Sequence, residues 1–323
     1  MNRSVTSDPV ARQLQGQGLQ VRCNEPMWRH TTWQIGGRAD LLVLPGAFPQ
    51  LTRALQVVRS AGMPFVVVGK GSNLLFADEG FRGAVFKIDK PLDQIDVKGN
   101  QIVVESGALT CRTARAALRH RLAGLEHIVG IPGTMGGLVA MNGGSQRRCI
   151  GDSIEWVEGC DETGRPFRLE REACGFAYRD SRFLREPGRI VFRCALALAP
   201  GDRTAIRRAM LADLRERRRK FPLQLPNCGS VFKSSPVLFA LAGPPGKIIE
   251  DCGFKGRRAG DAEVSRLHAN FITNQGRAKA ADVLELIGQI RGEVHRRWGV
   301  WMEAEVKYVQ PAGGVVPAHE AAS

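Results

Sequence analysis

Apolar positions in this chain change their spacing several times, and each change predicts an element. Leu51, Leu55 and Val58 recur at helical intervals, and Gly62 follows as a natural stop. The next apolar residues are continuous, Phe65-Val66-Val67-Val68, as in a strand buried on both faces, and Ala84 to Ile88 repeats that signature. From Ile95 to Ala199 strand patterns dominate. Turn signals at Gly99-Asn100 and Thr163-Gly164 predict two hairpins, Ile190 to Ala199 reads as a strand, and one helix is expected from Thr113 to Ala123, ended by Gly124. Ile206, Met210 and Leu214 then line one side of a helix from Arg203 to Lys220. Val283, Ile287, Ile290 and Val294 do the same in a helix from about 281 to 298, and Glu303 to Val309 reads as a last strand. No internal repeat is present.

Composition narrows the class. Among 323 residues, 43% are hydrophobic and 24% charged, which excludes wholesale disorder and fibrous repeats and supports two or three cores. The longest apolar runs, such as Leu41 to Leu44, fall far short of the roughly 20 residues that span a bilayer, so no membrane insertion is expected. The first twenty residues carry no signal-like apolar stretch and read as a mobile tail; those after Pro311, rich in Ala, Gly and Pro, read as another. The eight cysteines never come closer than eleven residues, and the six histidines form no ligand spacing. Free thiols in a reducing cytoplasm and no metal are the expectation. The net charge of +14 attracts polyanions. The densest basic run, Arg203 to Lys220, lacks interleaved aromatics, so solvated arginines are the better reading there and nucleic acid is not an expected partner. Phosphate-bearing small molecules remain.

Two glycine-rich segments point to such a molecule. The strand at 65–68 runs into Gly69-Lys70-Gly71-Ser72-Asn73-Leu74-Leu75, whose backbone can aim successive N–H groups into one concavity. It is neither a Walker loop, since Gly71 follows Lys70, nor a Rossmann fingerprint, since Leu74 stands at the third glycine; alone, such a turn is more often structural. Between Gly130 and Ser145 six glycines and Pro132 fall in one stretch, Gly-Ile-Pro-Gly-Thr-Met-Gly-Gly-Leu-Val-Ala-Met-Asn-Gly-Gly-Ser. So many missing side chains let a backbone lie against a planar ligand and its phosphates. Together the two suggest a dinucleotide. A third segment, Pro226 to Lys233, holds Ser230 after Gly229; on the bare residues it is a cap or turn, and Tyr178-Arg179 and Glu305 are ordinary surface groups.

Three long blocks nevertheless resemble one family, the UDP-N-acetylenolpyruvoylglucosamine reductases, or UDP-N-acetylmuramate dehydrogenases (MurB). The first is Thr31-Thr32-Trp33-Gln34-Ile35-Gly36-Gly37 with Ala39-Asp40, continuing through Gly69 to Leu75. The second is Gly124-Leu125-Glu126 through Gly130-Ile131-Pro132-Gly133-Thr134 to Met141-Asn142, then Phe176 to Ser181. The third is Cys228 to Lys233, followed by Gly246 to Glu250, His268 to Ile272 and Glu303 to Val306. The resemblance spans residues 22 to 309.

What it implies is an α+β protein. An FAD-binding half of the vanillyl-alcohol-oxidase (PCMH) type would occupy 22–200, in subdomains 22–89 and 90–200, and a separate α+β substrate-binding domain 201–310, with tails at 1–21 and 311–323. The family reduces non-covalent FAD with NADPH and passes the hydride to the enolpyruvyl ether of a UDP-sugar, making UDP-N-acetylmuramate for peptidoglycan. An enolate then develops and must be held and protonated. By resemblance Ser230 is the proton donor, and Arg179 and Glu305 stabilise the enolate. FAD would be held by Gly69, Lys70, Gly71, Ser72, Asn73, Leu74, Gly130, Ile131, Pro132, Gly133, Thr134, Gly136, Gly137, Asn142 and Gly143. The UDP-sugar would be held by Tyr178, Lys220, Lys233 and Ser234. No loop is left for NADPH, so both substrates are expected to take turns in one site of a cytoplasmic monomer. The chain departs from the family pattern at Ser234, Lys307, Ala177 and Gly143-Gly144-Ser145, and it lacks a tyrosine-bearing loop after Arg179. The competing expectation is an FAD-dependent oxidase or dehydrogenase of the same fold acting on another substrate.

Overall fold

The computed structural model describes residues 8–322 and divides into two compact units. The first comprises the described residues up to Cys23, together with Leu41–Lys70 and Ala84–Arg217; the second comprises Asn24–Asp40, Gly71–Gly83 and the residues from Arg218 onward. A linear cut near residue 200 is therefore not the division that contacts make.

In the first unit the helix Phe48–Ser60 precedes the strand Phe65–Val68, which pairs in parallel with Phe81–Lys87 in the register Phe65↔Ala84 to Val68↔Lys87. Leu51, Leu55 and Val58 are fully buried, as their spacing predicts, in a core shared with Ala84 and Phe86. A five-stranded antiparallel sheet follows, in the order Pro166–Glu170, Ile154–Cys160, Ile190–Ala197, Gln101–Glu105, Ile95–Lys98, and both expected hairpins belong to it. Its apolar face shares a core with Ile206 and Met210 of the basic helix Arg203–Lys220.

Two expectations are corrected here. Residues 8–21 are not a tail. The Asp8 carboxylate accepts from the Ala11 N–H at 2.9 Å and caps the helix Pro9–Gly16, whose Ala11 and Leu14 are fully buried, and a strand begins at Gln20. Ala11 and Leu14, three residues apart, anchor that helix with the partly buried Val10 beside them, and the rest of its sequence is mostly polar; residues 1–7 of the expected tail lie outside the described residues. The helix expected over 113–123 runs from Thr110 to Arg119. Arg121 turns the chain at φ +56°, and Leu122–Ala123 pair with Ala199–Pro200 instead.

The second unit explains why two N-terminal segments fold with the C-terminal part. Trp33 is fully buried, donates Nε1–H to the Ile272 carbonyl at 2.8 Å, and shares a core with Leu75, Val283, Ile287 and Ile290. The Asp78 carboxylate accepts from the Ala280 and Ala281 N–H groups at 2.8 and 3.0 Å, at the start of the helix Ala280–Trp298. Leu74–Phe76 pairs in parallel with Lys307–Val309, which pairs on its other side with Val315–Pro317. The segment after Pro311 is thus not a tail. Gly313 and Gly314, at φ +110° and +91°, turn a hairpin that the Gln310 N–H closes onto the Gly314 carbonyl at 3.1 Å, and Ala318 beyond it is fully buried. Low-complexity composition conceals a turn that needs those two glycines. No helix among the described residues is long and apolar enough to cross a membrane.

Candidate active site

The start of the first glycine-rich segment, Gly69-Lys70, meets the second segment within the first unit. A Cβ placed on Gly69 would overlap the hydroxyl of Thr134, so the turn after the strand lies directly against the Thr134 side chain. That close approach requires glycine. The second segment is braced from below. The Thr110 N–H donates to the Gly133 carbonyl at 3.2 Å and its hydroxyl to the Ile131 carbonyl at 2.5 Å, while the Met135 and Gly136 N–H groups donate to Ala108 and Ser106 at 2.8 Å. Asn142, at φ +42°, donates Nδ2–H to the Ala177 carbonyl at 2.8 Å and accepts from the Gly151 N–H at 3.0 Å, tying this segment to the Tyr178-Arg179 loop.

Arg179 itself is left-handed at φ +54°, an unusual conformation for a side-chain-bearing residue and one that clusters at functional sites. Its guanidinium donates to the Gly144 carbonyl at 3.1 Å and lies 5.4 Å from the exposed Tyr178 ring. Arg179 thereby joins the glycine-rich segment.

A lysine overlooked in the sequence sits beneath the first turn. Lys87 ends the strand Phe81–Lys87 with only 8% exposure, donates its ammonium to the Gly69 carbonyl and lies 3.9 Å from Asp89. Burial lowers its pKa, with Asp89 opposing and Lys70 adding to the shift. Because carbonyl and N–H of a trans peptide point opposite ways, drawing the Gly69 carbonyl toward Lys87 turns the Lys70 N–H the other way. The signal was available: a lysine inside Ala-Val-Phe-Lys-Ile is a charge in an apolar run. Arg217 is the exception among the arginines of its helix. It packs over Gly130, where a Cβ would collide with its side chain, and burial lowers its pKa.

Ser106 contributes a second feature that favours a ligand. It is 3% exposed, its hydroxyl has no hydrogen-bond partner among the described residues, and a Cβ on Gly136 would come within 2.7 Å of its own Cβ. An orphaned hydroxyl beside a glycine-lined surface with a cation behind it suits a ligand that brings acceptors, as a flavin dinucleotide does.

The second unit holds the other chemistry. Residues 231–233 pair with 303–305: the Glu305 N–H donates to the Val231 carbonyl at 2.7 Å and the Lys233 N–H to the Glu303 carbonyl at 2.9 Å, with Phe232 opposite Ala304. Ser230 and Glu305, 75 residues apart in the chain, are brought onto neighbouring segments by this single bridge; the strand expected over 303–309 forms only at Lys307–Val309. Asn270 fastens the other edge. Its Oδ1 accepts from the Phe232 N–H and its Nδ2–H donates to the Phe232 carbonyl, both at 2.9 Å, while its own carbonyl accepts from the Val231 N–H at 2.9 Å. Before Ser230, Asn227 makes the turn by accepting from the Gly229 N–H at 2.9 Å. Asn73, expected among the cofactor contacts, donates Nδ2–H to the Glu305 carbonyl at 3.0 Å. Buried Cys228 has its thiol pKa raised, by burial first and by the Glu305 charge second.

The remaining expected residues divide between the units. Gly137 and Gly143 lie in the first with the residues above. Gly71, Ser72, Leu74, Lys220, Lys233 and Ser234 lie in the second, Lys220 and Ser234 exposed and Lys233 ion-paired with Glu303 at 3.3 Å.

Comparison with known proteins accords with this geometry. Residues 39–170 match an FAD binding domain and 221–309 match the C-terminal domain of UDP-N-acetylenolpyruvoylglucosamine reductase. The chain is 41% identical over 307 residues to the UDP-N-acetylenolpyruvoylglucosamine reductase of Heliobacterium modesticaldum, covering 95% of each. It is 43% identical over 299 residues to that of Moorella thermoacetica, covering 92% of this chain and 96% of the relative. The solved structure of the same reductase from Thermus caldophilus superposes with a TM-score of 0.75 at 32% identity, covering 90% of this chain and 98% of that one. The class is therefore an α+β, FAD-binding oxidoreductase. Identity of this extent over nearly the whole length goes further, and the chain belongs to the UDP-N-acetylenolpyruvoylglucosamine reductase family.

Proposed function

We propose that this chain carries out the NADPH-dependent reduction of the enolpyruvyl ether of UDP-N-acetylglucosamine enolpyruvate to UDP-N-acetylmuramate, a step in peptidoglycan precursor synthesis. The observation that carries the reading is the bridge between 231–233 and 303–305, which sets Ser230 and Glu305 on neighbouring segments fastened by Asn270 and Asn73. An enzyme that protonates an enolate needs an acid and its electrostatic partners held rigidly, and such a frame meets that need. Bound FAD would supply a two-electron relay between NADPH and the substrate double bond. Gly69, Lys70, Thr134, Gly136 and the second segment would hold it, with Lys87 and Ser106 behind them.

The chain's own residues would then work on the substrate. Ser230, half-buried just before the bridged segment, gives its hydroxyl proton to C2 of the enolate. Glu305 polarises the reacting group from the facing segment. The Arg179 guanidinium stabilises the negative charge that grows on the carboxylate side. Cys228 stays a neutral thiol, so no second anion forms beside Glu305. Tyr178, Lys220, Lys233 and Ser234 take the UDP-sugar and its diphosphate. In domain terms, 22–200 serves FAD and 201–310 the substrate, with Asn24–Asp40 and Gly71–Gly83 folded into the second unit. NADPH and the UDP-sugar alternate in one site, so initial-velocity lines run parallel; intersecting lines count against that order. We read the protein as a cytoplasmic monomer, in keeping with its eight free thiols, and sedimentation checks the oligomeric state.

Ser230→Ala provides the test. The variant should still bleach its flavin with NADPH, yet fail to regain colour when the enolpyruvyl sugar is added in stopped flow. Normal turnover by that variant would remove Ser230 from the mechanism.

A further inference from the structure

Ala304, immediately before Glu305, donates its N–H to the Nδ1 atom of His319 at 3.0 Å. His319 stands beyond the last strand, in the short turn Ala318–Glu320 that ends the C-terminal hairpin. The extended segment 303–306, which precedes the strand Lys307–Val309 and meets 231–233 through a single bridge, has two edges. The Glu303 carbonyl accepts from Lys233 and the Glu305 N–H donates to Val231, so the groups of Ala304 and Val306 face the opposite way. On that side the Val306 carbonyl accepts from the Ala318 N–H at 2.9 Å, and the imidazole of His319 stands where the next strand would offer a carbonyl. The hairpin is itself anchored: Ala318 is fully buried, and Arg291 donates one N–H to the Met302 carbonyl at 2.8 Å and another to the His319 carbonyl at 3.2 Å. One arginine thus grips both ends of the segment that carries Glu305.

We propose that the C-terminal hairpin, through His319 and the Ala304 N–H, is a positioning element for Glu305 in the second half-reaction. The proposal rests on the reading of Glu305 given above. Its chemistry is specific. Nδ1 accepts only when the ring is neutral with its proton on Nε2, and burial with the nearby Arg291 charge lowers the His319 pKa in that direction. Alanine at 319 would leave a buried N–H without an acceptor next to the glutamate. Asparagine would offer an amide oxygen at about the distance of Nδ1 from the backbone.

The test separates the two half-reactions. In the full-length FAD-loaded protein, His319→Ala should slow flavin reoxidation by the enolpyruvyl sugar between about tenfold and a hundredfold while NADPH reduces the flavin at the wild-type rate. His319→Asn should restore reoxidation to within about threefold of wild type. The proposal is overturned if His319→Ala reoxidises normally, if both half-reactions fall together, or if His319→Asn is as slow as His319→Ala. Glu305→Gln in the same assay keeps the readings apart. Normal reoxidation by that variant refutes the role of Glu305 itself, whereas a slow Glu305→Gln beside a normal His319→Ala refutes only the positioning.

Discussion

Asn270→Ala strikes the frame of the site without touching a reacting atom. Phe232 stands opposite Ala304 as the pair that exchanges no bonds of its own, because Val231 and Lys233 make the flanking ones. Its N–H and carbonyl turn to Asn270 instead, each at 2.9 Å, and Asn270 is 5% exposed. Alanine leaves both groups buried and unsatisfied. At about 1–3 kcal/mol each, the loss is about 2–6 kcal/mol, a large share of the ~5–15 kcal/mol that holds a typical domain. Asn270→Asp keeps the acceptor for the Phe232 N–H but sets a carboxylate oxygen against the Phe232 carbonyl, so it should fall short of wild type as well. Two measurements are needed. Thermal melting should show the second unit destabilised, and stopped-flow reoxidation in whatever fraction remains folded should slow by about a hundredfold, since an ångström of drift at Ser230 suffices for that. The reasoning is refuted by an Asn270→Ala protein that melts within about a degree of wild type and reoxidises its flavin at the wild-type rate.

Other consequences follow from the first unit. Lys87→Met keeps the apolar stem but removes the ammonium from the Gly69 carbonyl, so FAD should bind about tenfold more weakly while riboflavin, which lacks the diphosphate, loses little; titration of the apoprotein by flavin fluorescence measures both. His127 is 3% exposed, and burial, aided by Arg148, holds its pKa down at about 4 against 6.5 in an open chain. The unfolded chain takes up this proton first, so the associated stability is complete above pH ~6.5, is lost as pH falls toward ~4, and amounts to at most about 3 kcal/mol. Urea midpoints compared at neutral and acid pH should show that slope, and His127→Phe should flatten it.

Much of the cofactor half was legible in the residues. Helical spacing placed Leu51, Leu55 and Val58 in a core, and the density of glycine between 130 and 145 flagged a ligand surface, because glycine clusters serve close approach in any context. Ser230, Arg179 and Glu305 gave no such signal. A serine in a turn and a glutamate in an alternating segment carry no periodicity, so only family resemblance singled them out. Lys87 and Asn270 were harder still, since one polar residue in an apolar run announces burial without naming its partner.

The tails show the same limit from the other side. Only two residues in eight are fully buried in the helix Pro9–Gly16, and two glycines turn the hairpin that ends in Ala318, so both segments look polar and loose when read locally. Local pattern determines which elements form and which backbones can come close to a ligand, because propensity and steric freedom are properties of neighbours in the chain. Which segments share a core is decided only when distant ones compete for the same buried surface. Hence Trp33 and Leu75 pack with Val283 and Ile287, and Ala304 finds its acceptor in His319, partners that no spacing along the chain records.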